Sequence, residues 1–180
     1  MSSPVTAIDD TRRWLERAVI GLNLCPFAKA VHAKGQIRWV LSEAAAPAAL
    51  LAELVCELQH LAAADAQAVD TTLIVHPGVL QDFHDFNDFL GVAEDALADL
   101  GLEGVLQIAS FHPQFQFADA APDDIGNATN RSPHPTLHLL REDSIERALA
   151  AFPDAADIYE RNIATLRSLG RAGWQALAAR

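Results

Sequence analysis

Apolar residues follow two patterns along this chain, and the patterns differ in spacing. Short runs rich in β-branched and aromatic residues predict strands, whereas longer stretches with an apolar residue every three or four positions predict helices. The predicted strands are 36–42, 71–76, 105–111 and 136–141. The predicted helices are 6–24, 47–64, 87–100, one capped by Asp143, and a last one that starts at Pro153, breaks at Gly170 and resumes over 172–179.

Residues that favour helix ends support these bounds. Pro47 suits the first turn of a helix, the side chain of Asn87 can cap the third helix, and Gly101 can end it. Together the elements predict an α/β or α+β fold in a single domain, residues 1–180. We expect a mixed sheet of about four strands, packed by five to six helices.

One part of this order of elements predicts where two histidines lie in the fold. Strand 71–76, helix 87–100 and strand 105–111 form a β-α-β unit, which makes the two strands parallel. Both strands end in a His-Pro dipeptide, His76-Pro77 and His112-Pro113. The two imidazoles are therefore expected at the carboxyl edge of the sheet, where ligands of open α/β sheets bind.

Composition and charge restrict the class of partner. The formal net charge of the 180-residue chain is −11, which argues against nucleic acid or an anionic membrane surface as a partner. A small anionic ligand stays possible, because the field inside a site is local. The chain has no apolar signal core and no apolar run of membrane length, so we expect a cytoplasmic protein. Its oligomeric state is left open.

A polar loop of about two dozen residues separates the last two strands and is a candidate binding element. It contains Asn127-Ala128-Thr129-Asn130-Arg131-Ser132-Pro133. Arg131 offers bidentate recognition of a carboxylate or phosphate, and Asn127 and Asn130 can assist it. The alternative is architectural: Asn, Thr and Ser side chains fix turns, and Asp123 or Asp124 can pair with Arg131.

Two further polar residues lie in strand 136–141. His138 and Arg141 are counted with the candidate ligand-binding residues. The alternatives are a hydrogen-bonded histidine of the core and, for Arg141 with Glu142, a surface ion pair.

The histidine pair supports two kinds of chemistry. In the first, His112 or His76 moves a proton and Asp85 or Asp82 orients the imidazole. In the second, His76, His112 and Asp82 hold a divalent metal ion, which is the one cofactor that these residues suggest. In the plain alternative each histidine ends a strand and its ring bonds a turn carbonyl.

The two cysteines give no disulfide framework. Cys25 follows the carboxyl end of a helix, which disfavours a thiolate, so a buried and inert thiol is preferred to a nucleophile. Cys56 lies within an apolar helix and is expected in the core.

Several segments together resemble a known family. They are Gly21-Leu22-Asn23-Leu24-Cys25-Pro26-Phe27, Phe111-His112-Pro113, Thr129-Asn130-Arg131-Ser132-Pro133 and Leu137-His138-Leu139-Leu140-Arg141-Glu142. They are similar to the bacterial family named domain of unknown function 1415, over nearly the whole chain. The resemblance implies no activity and no catalytic residue. Where that family has an aromatic residue after the proline, this chain has His134, so the resemblance gives that imidazole no essential role.

The residues favour an enzyme of hydrolase or lyase type that acts on a small anionic metabolite at the carboxyl edge of the sheet. Two alternatives stay open. One is a non-catalytic binding or regulatory module that uses the same pocket, and the other is a divalent-metal protein built on His76 and His112.

Overall fold

The computed structural model describes residues 4–151 and 157–178. The α-helices are α1 Pro4–Trp14, α2 Ala28–Ala33, α3 Pro47–Ala63, α4 Phe83–Asp99, α5 Glu142–Ala151 and α6 Ile158–Ala178. A π-helix, Leu15–Ile20, continues α1, and a 3-10 helix, Ile125–Asn130, lies in the long loop. The strands are β1 Ile37–Leu41, β2 Thr71–Val75, β3 Leu106–Phe111 and β4 Thr136–Arg141.

The four strands form one mixed sheet in the order β1-β2-β4-β3, which confirms the predicted α/β fold. β1 pairs with β2 in parallel, and β4 pairs with both β2 and β3 in antiparallel fashion. β2 and β3 are therefore parallel to each other, as predicted, but β4 lies between them. Thr136 at the start of β4 pairs with Val75 and Phe111, so the chain enters β4 where β2 and β3 end.

Side chains alternate between the two faces of the sheet along each strand. Both faces carry apolar side chains, and helices cover both of them. On one face the strands pack against α3 and α4 in the main core. The buried residues there include Leu50, Leu54, Leu58, Ile74, Phe86, Phe89, Leu137 and Leu139. The other face packs against α1, the π-helix and the end of α6 through Trp14, Leu15, Val19, Ile37, Trp39, Phe111, Trp174 and Leu177.

Helix α4 begins one turn earlier than predicted. The cap is Asp82, whose carboxylate accepts hydrogen bonds from the backbone N–H groups of His84 and Asp85 at 2.8 and 3.2 Å. The predicted cap at Asn87 is wrong. The physical reason is that Phe86 is fully buried and extends the apolar stripe of the helix toward its N-terminus.

Other bounds differ in smaller ways. The predicted helix 6–24 is divided between α1 and the π-helix, and α2 was not predicted. Gly170 interrupts α6 as predicted, with φ 69° and ψ 174°. Helix α5 begins at Glu142, one residue before its predicted cap. The helix start predicted at Pro153 and the end predicted at residue 179 lie outside the described residues.

Cys56 is exposed on α3, so its predicted place in the core is wrong. The buried stripe of the helix is Leu50, Leu54, Leu58 and Leu61, and Cys56 points away from it. Cys25 is partly buried.

Within the described part of the chain, no helix has the length and apolar character needed to cross a membrane.

Candidate functional site

The structure brings His76 and His112 together at the edge where β2 and β3 end. Both imidazoles are fully buried, and both lie against the ring of Phe86, at centroid distances of 5.6 and 5.0 Å. Their backbone N–H groups donate to the carbonyls of Pro135 and Asn130, at opposite ends of the segment that leads into β4. The strand ends and the polar loop therefore meet at this edge.

The ring nitrogens of these histidines bind turn carbonyls. His76 Nδ1 donates to the carbonyl of Val79 at 3.1 Å, and His112 Nε2 donates to the carbonyl of Leu80 at 3.2 Å. His112 Nδ1 accepts from the N–H of Gln114 at 3.0 Å, so both nitrogens of this ring are engaged. Leu80 has a positive φ of 56°, and the two imidazoles hold the strained turn in place. These contacts match the plain alternative for each histidine.

Both imidazoles are kept neutral by their surroundings. Burial lowers the pKa of His76 to about 4. The hydrogen bond to Val79 acts in the opposite direction, and the neighbouring His112 adds a smaller lowering. Burial also lowers the pKa of His112. His76 Nε2 is buried and has no hydrogen-bond partner among the described residues. With the proton on Nδ1, this nitrogen carries a lone pair in an apolar environment.

The carboxylates predicted to assist the pair lie at the start of α4. Asp82 caps the helix, and its pKa is lowered by the N–H groups of Asp85 and His84. Asp85 is exposed in the first turn. Among the residues that the structure describes, no group of three or more His, Cys, Asp or Glu side chains is placed to hold a metal ion. The catalytic role of His112, His76 and Asp85, and the metal role of His76, His112 and Asp82, stay predictions.

Asn127 and Asn130 bind the backbone of their own loop and of β3. Asn127 is fully buried; its Oδ1 accepts from the N–H of Phe117 at 3.0 Å and its Nδ2 donates to the carbonyl of Ala121 at 2.8 Å. Asn130 Nδ2 donates to the carbonyl of Ser110 at 3.3 Å. In this structure both amides order the loop.

Arg131 also binds loop carbonyls, through part of its guanidinium group. Nε donates to Phe115 at 2.9 Å and Nη2 to Pro122 at 2.8 Å, whereas Nη1 takes part in neither bond. The two aspartates that could have paired with Arg131 have other partners. Asp123 contacts Arg171 at 3.2 Å, and Asp124 accepts from the N–H of Gly126 to cap the 3-10 helix.

His138 and Arg141 lie in β4 and bind neighbouring elements. His138 Nε2 is 2.6 Å from Thr71 Oγ1, and burial lowers the pKa of His138 to about 4. Because the Thr71 hydroxyl donates its only proton to the carbonyl of Leu139, His138 Nε2 must be the donor in this contact. The guanidinium of Arg141 donates to the carbonyls of Leu61, Ala64 and Val69. Leu61 and Ala64 lie at the carboxyl end of α3 and Val69 lies just before β2, so Arg141 ties the end of the helix to the segment that leads into the strand.

A cleft of about 390 Å³ opens beside the loop, on the α1 side of the sheet edge. It lies between α1, the segment 131–133 and the last part of α6. It is lined by Asp10, Arg13, Trp14, Ala18, Pro113, Arg131, Ser132, Pro133, Trp174 and Leu177. We call this space the Arg131 cleft.

The charged residues of the Arg131 cleft are two guanidinium groups and one carboxylate. Arg13 Nη1 lies 3.2 Å from Asp10 Oδ1, and His134 Nε2 lies 3.3 Å from Asp10 Oδ2. The pKa of Arg131 is lowered, first by burial and then by the nearby charge of Arg171. Arginine side chains are charged in proteins at neutral pH. The lining is therefore locally cationic in a chain of net charge −11.

A second cleft of about 180 Å³ adjoins the first and shares Arg131 and Trp174 with it. Its other lining residues include Asp123, Asp124 and Arg171. Arg131 and Trp174 thus stand between two spaces at the same end of the fold.

Sequence reasoning identified Arg131 but missed Arg13, Trp14 and Trp174. One signal was present in α1, where Asp10, Arg13, Trp14 and Ala18 recur at helical spacing and form one face with mixed character. Nothing local to α1 or α6 indicated that the two ends of the chain meet.

Comparison with known proteins places the chain in a family without giving it an activity. No curated protein and no solved structure matches this sequence. The model of one family matches residues 6–176, which is nearly the whole chain, and agrees with the resemblance seen in the motifs. The chain belongs to the family described as Protein of unknown function (DUF1415).

Proposed function

We propose that this protein binds a small anionic organic molecule in the Arg131 cleft. The observation that carries the proposal is the state of Arg131. Two loop carbonyls hold its Nε and Nη2, its Nη1 is outside both bonds, and the residue lines the cleft. A guanidinium fixed in this way is pre-organised, so less side-chain entropy is lost when an oxyanion binds to it.

The charges around Arg131 support an anion over a neutral ligand. Arg13 supplies a second guanidinium to the lining, and Asp10 is already engaged by Arg13 and His134. Charge-assisted hydrogen bonds from guanidinium to carboxylate or phosphate are short and about twice as strong as neutral ones.

The size and the apolar part of the cleft support an organic ligand over a simple ion. A volume of about 390 Å³ lies within the usual range for small-molecule sites. Trp14, Trp174, Pro113 and Pro133 give it rigid apolar walls that a phosphate or sulfate ion would not fill.

The contacts of His76 and His112 support ligand binding over a reaction in which these two histidines transfer protons. Both nitrogens of His112 are engaged with the backbone, and neither His76 nor His112 lines the cleft. A hydrolase or lyase reaction on the bound anion stays a prediction, to be tested by turnover of whichever molecule binds.

The test is a thermal-shift panel of carboxylated and phosphorylated metabolites, followed by titration calorimetry of the molecules that raise the melting temperature. We expect Arg13→Gln and Arg131→Lys each to weaken binding by at least about 10-fold, since one charge-assisted hydrogen bond contributes about 1.5–3 kcal/mol. Arg147→Gln removes an exposed arginine of α5 and serves as the control for loss of a positive charge outside the cleft.

Lysine is chosen at position 131 because it keeps the positive charge but not the planar, bidentate group. Circular dichroism must show that each variant is folded. The proposal is wrong if no organic anion binds, or if Arg13→Gln and Arg131→Lys both bind as tightly as the unaltered protein.

A further inference from the structure

We infer that the ligand of the Arg131 cleft is an aromatic or heteroaromatic acid, whose flat ring lies against Trp174 while its oxyanion meets Arg131. This inference rests on the proposed function and narrows it to a class of ligand. It is carried by the position of Trp174 beside Arg131 in both adjoining clefts.

The walls of the cleft are mostly flat and rigid. Trp14 is nine-tenths buried and is fixed edge-on to Phe111, with ring centroids 5.1 Å apart. Pro113 and Pro133 have no side-chain rotamers to adjust. Rigid faces of this kind fit a planar ring better than a puckered one, because a planar ring makes contact over its whole face.

Trp174 differs from Trp14 in being only partly buried. It stands on the segment of α6 that follows the break at Gly170, together with Leu177. Its indole therefore has surface left for a ligand ring. Arg131, which lines the same two clefts, supplies the complementary charge at one end of such a ring.

The anchor and the ring platform come from different parts of the chain. Arg131 is held by the loop, and the segment that bears Trp174 is joined to that loop through Arg171, whose Nη2 donates to the carbonyl of Asp123 at 2.7 Å. α6 also packs on the 3-10 helix that precedes Arg131. These contacts set the spacing between guanidinium and indole, which selects the position of the acid on the ring.

The experiment compares matched pairs of ligands on the full chain. Benzoate is paired with cyclohexanecarboxylate, and phenyl phosphate with cyclohexyl phosphate, and affinities are measured by calorimetry or by saturation-transfer NMR. The two members of each pair carry the same charged group and are nearly equal in size, so they differ only in whether the ring is aromatic or saturated. We expect the aromatic member to bind at least about 10-fold more tightly in one pair or both.

Variants at Trp174 locate the effect. Trp174→Phe keeps an aromatic face and should keep the discrimination, whereas Trp174→Leu should reduce it to less than about 3-fold. Tyr159→Leu is the control, because Tyr159 is an exposed aromatic residue of the same helix and does not line either cleft. The melting temperature of each variant shows whether the helix is intact.

Each outcome decides between the two proposals. Equal affinity for the aromatic and saturated members overturns the inference and leaves the proposed function standing. So does binding only of acids without a ring, or discrimination that survives in Trp174→Leu. If no organic anion of any kind binds, the proposed function fails and the inference fails with it.

Discussion

Lowering the pH from 7 to 5 should destabilise this protein through two histidines, the fully buried His76 and the partly buried His138. The pKa of His76 and of His138 lies at about 4 in the folded chain, below the ordinary value of 6.5, mainly because burial disfavours the charged ring. Between these two values the unfolded chain binds more protons than the folded chain, so stability falls as the pH falls through this window. Above about pH 6.5 the effect is absent, and below about pH 4 it grows no further.

The size of the effect follows from the same two values. At pH 5 an unfolded histidine is mostly protonated and the buried one mostly neutral, which costs about 2 kcal/mol of stability for each residue. Together, about 4 kcal/mol is a large part of the 5–15 kcal/mol that ordinarily holds a domain folded.

His138→Leu isolates one of the two contributions. The substitution removes the donor to Thr71 Oγ1, but the Thr71 hydroxyl keeps its own bond to the carbonyl of Leu139. We therefore expect a change of no more than about 1 kcal/mol at pH 7. The loss of stability between pH 7 and pH 5 should shrink by about 2 kcal/mol.

Urea unfolding followed by circular dichroism at pH 7, 6 and 5 measures this difference. Leu140→Val, a shortened side chain two positions along the same strand, is the control for destabilisation without loss of a titratable group. If His138→Leu and the unaltered chain lose equal stability between pH 7 and pH 5, the argument from buried neutral histidine is refuted.

Three further predictions concern stability and are checked by urea or thermal unfolding. Arg141→Gln should cost about 2–4 kcal/mol, because three main-chain carbonyls, two at the end of α3 and that of Val69 before β2, lose their donor; a loss below about 1 kcal/mol would contradict this role. Asp82→Ala should cost about 1 kcal/mol and Asn87→Ala less than about 0.5 kcal/mol, since only Asp82 caps α4; equal costs would contradict the assignment. Gly91→Ala should stabilise by about 0.5–1 kcal/mol in an open position of α4, whereas Gly170→Ala should cost about 1–3 kcal/mol at φ 69° and ψ 174°, and similar effects at both would be evidence against the backbone argument.

The strands were predictable because their side chains carry a local signal. The run at β2 is β-branched and is followed by Pro77 and Gly78, so it can be bounded from the sequence alone. The insertion of β4 between β2 and β3 was not predicted. A signal for it was present, because the buried Leu137 and Leu139 lie on one face of β4 and the partly buried Leu140 lies on the other. Apolar residues on both faces are typical of a central strand.

The wrong predictions for the helices arose where the type of a residue was given more weight than its position in the helical repeat. Cysteine is commonly buried, yet Cys56 lies two residues from both Leu54 and Leu58, about 200° around the helix from each. Asn87 is a good cap by type, but Phe86 before it belongs to the buried stripe, so the helix had to start earlier. In both cases the helical period decides the matter.

The candidate site was only partly predictable, because its parts come from distant segments. Arg131 was identified from its neighbours in a polar loop. Arg13, Trp14 and Trp174 lie in helices near the two ends of the chain, and only the packing of both helices on one face of the sheet brings them to Arg131. The sequence of a helix with mixed apolar and charged residues does not indicate which loop the helix will contact.

The polar loop shows why residue type alone could not separate binding from architecture. Ordering a loop and recognising a ligand require the same chemistry, namely side-chain donors aimed at oxygen. Asn127 uses both ends of its amide on the backbone, and Arg141 donates to three carbonyls. Arg131 differs because its backbone bonds involve Nε and Nη2 but not Nη1, and because it borders a cleft. The distinction therefore depends on which donors the fold has already engaged. For that reason ligand recognition is proposed for Arg131, whereas the amides around it order the loop.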